Sequence, residues 1–268
     1  MRGTVPRTIF LSPEDPGVPG PLFLQSHVFL CRAKRHWVIL DAHRDKYLCV
    51  DRHQFETLGP SLHGWDESQL GTTPAATSLR SPPPGARSAA ELPEKVSALA
   101  SDLLKRDILS EHATQAKDAR PTEYRLPTEA VDPDQHSQHS PWPHAVAFFA
   151  SSARASRELT QQRFQSTVES VRARKSHNAH RPGPFDLERA RSLVAAFERL
   201  RWFYPRPYLC LFDSLALIHF LARFQLYPDW VFGVNADPFE AHCWVQEGSV
   251  VLNDTLGRVS CFTPIMSV

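Results

Sequence analysis

Apolar residues along the chain follow two different rhythms, separated by polar, proline-rich sequence. Between about Leu22 and Leu70 they come in short runs broken by charge: Leu22-Phe23-Leu24, Val28-Phe29-Leu30, Trp37-Val38-Ile39-Leu40 and Tyr47-Leu48-Cys49-Val50. Such runs predict short strands. The intervening Arg32-Ala33-Lys34-Arg35 and Asp41-Ala42-His43-Arg44-Asp45 predict turns, so the region reads as a small antiparallel meander. Asp51 is placed to cap a helix that runs through Leu58 and is stopped by Gly59-Pro60.

Beyond this the pattern fades. Residues 71–90 carry Gly71-Thr72-Thr73-Pro74 and Ser81-Pro82-Pro83-Pro84-Gly85, the composition of a solvated tether. Val96, Leu99, Leu103, Leu104 and Ile108 recur at helical spacing, which predicts one amphipathic helix over 91–110 with Pro93 in its first turn. Polar sequence returns over 111–140 with Pro121, Pro127 and Pro133. The organisation expected is a flexible N-terminus (1–21), a small domain (22–70), a Pro-rich linker holding one helix (71–140) and a main domain (141–268).

The last region is the most apolar, and its ~130 residues suit one core. Leu187, Ala190, Leu193, Val194, Phe197 and Leu200 have helical periodicity behind Asp186 as a start signal. Pro205 and Pro207 interrupt it, and a second helix begins near Cys210, with Leu211, Leu215, Ile218 and Ala222 on one stripe. The period then becomes strand-like at Trp230-Val231-Phe232-Gly233-Val234, His242-Cys243-Trp244-Val245 and Val250-Val251-Leu252.

Composition narrows the function classes. Thirty Lys and Arg against 29 Asp and Glu leave a formal net charge of +1, which disfavours a nucleic-acid binder. With 42% hydrophobic residues the chain can bury a core, while 23 Pro against 11 Gly must collect in linkers. Neither a signal-peptide core nor an ~18-residue apolar span is present, so membrane insertion is not expected. Five scattered cysteines (Cys31, Cys49, Cys210, Cys243, Cys261) fit reduced thiols and a cytoplasmic location better than a disulfide framework.

One of those cysteines is placed to react. Cys210 sits at the expected entry of a helix, where unpaired N–H groups and the helix dipole favour a thiolate. A thiolate nucleophile needs an imidazole partner, and the imidazole needs a group that fixes its tautomer. With a three-residue loop (Glu247, Gly248, Ser249) between the last two strands, His242 would pair with Asp254 on one face; a two-residue loop would oppose it to Asn253. Strand alternation turns Cys243 away from His242, leaving Cys210 as the better nucleophile. Seen singly, Cys210 also reads as an ordinary small core residue. The His136/His139 and His177/His180 pairs lack a supporting Cys or carboxylate cluster, so no metal is assigned. No phosphate-binding glycine loop occurs, and the basic run Arg172-Ala173-Arg174-Lys175 reads as a solvated helix face.

The segments Tyr208-Leu209-Cys210-Leu211-Phe212-Asp213-Ser214-Leu215-Ala216-Leu217, Pro238-Phe239-Glu240-Ala241-His242-Cys243-Trp244-Val245 and Val251-Leu252-Asn253-Asp254 together resemble the lasso-peptide B protein family. The resemblance covers 141–268 and implies an α+β protein whose last domain is a transglutaminase-like, papain-like cysteine leader peptidase. It implies Cys210 as nucleophile, His242 as general base and acid, and Asp254 as the residue orienting the imidazole. Full-length members join this peptidase to a small PqqD-like, winged-helix-like element whose three-stranded sheet binds the precursor's leader as an added strand, a role that 22–70 would fill. The implied partners are a lasso precursor peptide and an asparagine-synthetase-like macrolactam synthetase. No cofactor is expected in this chain, any ATP use falling to that synthetase. Two alternatives share the residues: an acyltransferase or transglutaminase using the same three side chains on an amine acceptor, and a non-catalytic peptide-binding scaffold.

Overall fold

The computed structural model describes residues 21–65, 94–113, 116–122, 124–136, 140–178 and 184–268. The expected flexible N-terminus and the tether over 71–90 lie outside the described residues, apart from Pro21.

The N-terminal meander consists of β2 (Val28–Ala33), β3 (His36–Asp41) and β4 (Lys46–Asp51), antiparallel in that order. Lys34 and Asp45 occupy left-handed conformations in its two turns, and the Asp41 carboxylate accepts the backbone N–H groups of His43 and Arg44 in the second. The first predicted strand is not part of it. β1 (Phe23–Gln25) instead lies between β5 (Leu109–Ser110) and β6 (Ala116–Lys117) in a separate three-stranded sheet. The short turn at Ser26-His27 redirects the chain before a hairpin ladder with β2 can form. Asp51 accepts the N–H groups of His53 and Gln54 and so caps α1 (Arg52–Leu58), which passes into a 3₁₀ turn over Gly59–Ser61.

The central strand β3 is buried on both faces, which explains its unbroken Trp37-Val38-Ile39-Leu40 run. Trp37 and Ile39 join Leu30, Val50, Phe55 and Leu58 beneath α1 and α2 (Glu94–Lys105). Val38 and Leu40, with Cys31 and Ala33, point the other way into the core of the C-terminal region. The helix expected over 91–110 is thus shorter than its hydrophobic pattern. Asp107 turns the chain with a positive φ, and Leu109–Ser110 continue as β5.

The C-terminal region holds a five-stranded sheet ordered β11-β8-β9-β10-β7, made of β7 (Glu129–Ala130), β8 (Asp229–Ala236), β9 (Phe239–Glu247), β10 (Val250–Val251) and β11 (Thr263–Ser267). All its pairs are antiparallel except β10 with β7. Four helices accompany it: α3 (Ala145–Gln161), α4 (Phe164–Asn178), α5 (Leu187–Arg201) and α6 (Cys210–Arg223); a short α7 (Leu256–Val259) precedes β11. Asp186 caps α5 by accepting the Arg189 N–H. Alternation along β8 and β9 sends Trp230, Phe232, Val234, Cys243 and Val245 toward the helices, and Val231 and Trp244 to a second cluster with Val259 and Phe262.

The run Arg172 to Lys175 lies on α4, but half of it is tied down rather than solvated. Arg174 contacts the His219 ring at 2.8 Å, and Lys175 pairs with Asp229. No helix among the described residues is long and apolar enough to cross a membrane.

Candidate active site

The site is assembled where α6 begins against β9. Leu209 precedes the helix in an extended conformation and has no side-chain cap of its own. Asp213, one turn in, supplies the missing acceptor by taking the Leu209 N–H at 2.7 Å. Its other oxygen pairs with Arg201, the last residue of α5. The Arg201 guanidinium is 1% exposed, and it also donates to the carbonyls of Tyr204 (3.2 Å), Arg206 (3.0 Å) and Pro207 (2.9 Å). A fork with five donors is the one side chain able to hold three carbonyls and a carboxylate together. It fixes the proline-broken turn that delivers Cys210.

Cys210 is the first residue of α6 and is exposed. On β9, His242 is 5% exposed and lies between the rings of Trp244 and Phe262, with centroid separations of 6.1 and 4.9 Å. Gly233 faces His242 across the β8–β9 ladder. A Cβ at that position would come within 2.9 Å of the Trp244 ring and 3.0 Å of Phe262 Cβ, so only glycine leaves both rings undisturbed there.

Nε2 of His242 is 2.5 Å from Asp254 Oδ2. The proximity does not arise by the cross-strand pairing the sequence suggested. The ladder pairs Glu247 with Val250 and Gln246 with Val251, around a two-residue turn with Gly248 at φ +55°. Continued, this register would set Thr255 against His242, not the Asn253 expected of a two-residue loop, because the two turn residues are Gly248 and Ser249. β10 instead stops after two residues, and the chain bends. Asn253 secures the bend: its Oδ1 accepts the Val245 N–H at 2.7 Å and its Nδ2 donates to Ser214 Oγ at 3.0 Å. Asp254 then reaches back to the imidazole, with Oδ1 taking the Thr255 N–H.

With Nε2 held by Asp254, Nδ1 is the ring nitrogen left to face Cys210. The Cys210 thiol is brought down to about 4 by hydrogen bonding from the Cys243 thiol and from His242, against the opposing effect of burial, with further help from the Cys243 backbone. Burial works against a charged His242, but Asp254 and Cys210 outweigh it and raise the imidazole to about 9. Between those values the pair is thiolate and imidazolium, the charge state of an activated cysteine nucleophile.

The structure therefore brings Cys210, His242 and Asp254 together. Sequence reasoning missed the residues that hold them: Arg201, Asp213, Ser214, Asn253 and Gly233. Only Asp213 carried a signal, as a carboxylate in the first turn of a helix. Cys243 was set aside because it points away from His242, yet the same alternation aims it at α6 and Cys210.

Residues 152–267 match the family model of the transglutaminase-like superfamily, from within α3 to the end of β11. The chain is thus of mixed α+β class, with a three-stranded sheet near the N-terminus followed by a transglutaminase-like domain. A domain of this kind fits a cysteine peptidase or an acyltransferase. No curated protein and no solved structure matches the chain. Among the described residues no cluster of three or more His, Cys, Asp or Glu is arranged to hold a metal, while His139 and His180 lie outside them.

Proposed function

We propose that the protein is a cysteine peptidase that removes the leader from a lasso-peptide precursor, freeing the core's α-amine for ring closure by a separate ATP-dependent macrolactam synthetase. The observation that carries the reading is Cys210 at the open N-terminus of α6 beside an imidazole anchored by Asp254. In this reading the Cys210 thiolate attacks the carbonyl at the leader–core junction. His242 gives its proton to the departing core amine, then takes one from water as that water hydrolyses the thioester and releases the leader. The Cys210 N–H, the first of its helix and without an intrahelical acceptor, is aimed to receive developing negative charge on the carbonyl oxygen.

Tyr208 and Leu209, both more than half exposed immediately before the nucleophile, supply apolar surface for residues beside the scissile bond. The outer edge of β4 in the N-terminal sheet offers main-chain groups to which a leader could add as a strand. The test is mass spectrometry of the precursor encoded beside the gene, incubated with the wild-type protein and with Cys210→Ala, with and without the synthetase. Cleavage at one junction that is lost in Cys210→Ala supports the proposal; an intact precursor, or equal cleavage by both, overturns it. An acylated amine in place of a cut peptide would favour the transferase reading, which the superfamily match serves equally.

A further inference from the structure

A second thiol lies against the nucleophile, and the mechanism above does not use it. Cys243 is 3% exposed and faces α6 from β9. Ser214, one helical turn beyond Cys210, donates to the Cys243 carbonyl at 3.3 Å, which locks Cys243 beneath the first turn of α6. Each thiol shifts the other, Cys243 lowering Cys210 and Cys210 raising Cys243, as two neighbouring sulfurs do. Cys210 is exposed and Cys243 is buried.

We infer that Cys210 and Cys243 form a peroxide-responsive thiol pair that closes to a disulfide across the α6–β9 junction, shutting off the nucleophile reversibly. In the first step the Cys210 thiolate attacks one oxygen of a hydroperoxide. An S–O bond forms, the O–O bond breaks, and the departing hydroxide or alkoxide takes a proton from the His242 imidazolium, leaving Cys210 as its sulfenic acid. In the second step the Cys243 sulfur attacks the Cys210 sulfur. The S–S bond forms, the S–O bond breaks, and the Cys243 proton leaves with the oxygen as water. Two protons, one from His242 and one from Cys243, and two electrons pass to the peroxide, which is the only oxidant required. A thiol or dithiol reductant reverses the change. Because the partner thiol is held beneath the first turn of α6, ring closure outruns further oxidation to the irreversible sulfinic acid.

The other three cysteines serve as internal controls. Cys49 and Cys261 are exposed, and Cys31 is buried under the N-terminal sheet. The experiment treats the reduced full-length protein with one equivalent of hydrogen peroxide, blocks free thiols with an alkylating agent, and maps the products by mass spectrometry. The expected result is a loss of about 2 Da with Cys210 linked to Cys243, reversed by dithiothreitol, while Cys31, Cys49 and Cys261 stay available for alkylation after unfolding. In Cys243→Ala the same treatment should leave Cys210 as a sulfenic acid that dimedone traps, and several equivalents of peroxide should carry it on to sulfinic or sulfonic acid that dithiothreitol does not restore. A wild-type protein in which Cys210 is oxidised to sulfenic or sulfinic acid without a link to Cys243, or in which the disulfide joins another pair, overturns the inference. The wild-type mapping decides the matter even if the variant does not fold, and it needs no peptide substrate.

Discussion

Asp254 Oδ2 sits 2.5 Å from Nε2 of His242, although no strand register brings the two residues opposite each other. The contact exists because β10 ends early and Asn253 pins the following bend to β9 and α6. Asp254→Ala should therefore remove both the anchor and the charge that raises His242. Alkylation of Cys210 near pH 5 should slow, the lower limb of its pH profile moving up by one pH unit for each unit by which the thiol pKa rises. Asn253→Ala should slow it as well, because the bend loses its two tethers. Stopped-flow alkylation with the folded variants measures both.

Gly233 leaves room for the rings that flank His242. Gly233→Ala inserts a methyl group against Trp244 and Phe262, and overpacking of this kind costs about 1–3 kcal/mol. A lowered melting temperature together with slower Cys210 alkylation is expected. A variant with unchanged melting and unchanged reactivity would show that the close approach has no consequence.

Arg201 is the buried hub of the turn before Cys210. Arg201→Ala leaves Asp213 without its partner and three carbonyls without a donor, a loss on the order of 3 kcal/mol. Arg201→Lys keeps the charge but not the fork, so it should rescue only part of the stability. Thermal denaturation of the two variants beside wild type checks the order.

The helical layer should unfold in acid through Glu158. This carboxylate on α3 is buried, which alone would raise its pKa, but hydrogen bonds from His219 and Arg154 hold it down at about 2. A carboxylate depressed in the folded state contributes stability above its unfolded value of about 4.5, and that contribution is lost as pH falls toward 2. His219 acts in the same direction, since burial lowers its pKa and acid favours the unfolded chain, in which it charges freely. Stability should drop by roughly 3 kcal/mol between pH 6 and pH 2 on account of Glu158, and Glu158→Gln should flatten that part of the profile. Denaturant melts at a series of pH values measure the slope.

How far the sequence foretold these features depends on which residues carry the packing. α5 and α6 bury large apolar side chains at helical spacing, and their starts at Leu187 and Cys210 were legible from Asp186 and from the prolines. α3 and α4 were not. Beside Phe148, Val168 and Val171, their buried positions are Ser151, Ser152, Ala155, Glu158 and Thr167, so the apolar residues are too few to leave a clear hydrophobic rhythm. β7 is two residues long and exists through pairing within the sheet rather than through local preference, whereas β10 falls inside the expected Val250-Val251-Leu252 strand. At the site, the positions of Cys210 and His242 followed from local pattern. The route to Asp254 did not, because it depends on where a strand stops and on an asparagine side chain that bonds β9 and α6 at once.

The pairing of Cys210 with His242 is tested most directly by the pH dependence of Cys210 alkylation in wild type and in His242→Ala, with modification at Cys210 followed by peptide mapping. The thiolate is predicted to persist through the weakly acidic range, its rate falling only as pH approaches about 4, with a second change near 9 as His242 loses its proton. In His242→Ala that plateau should shrink as the thiol pKa rises toward the ordinary value of about 9. A wild-type profile that rises only near pH 9, or one left unchanged by His242→Ala, would contradict the account.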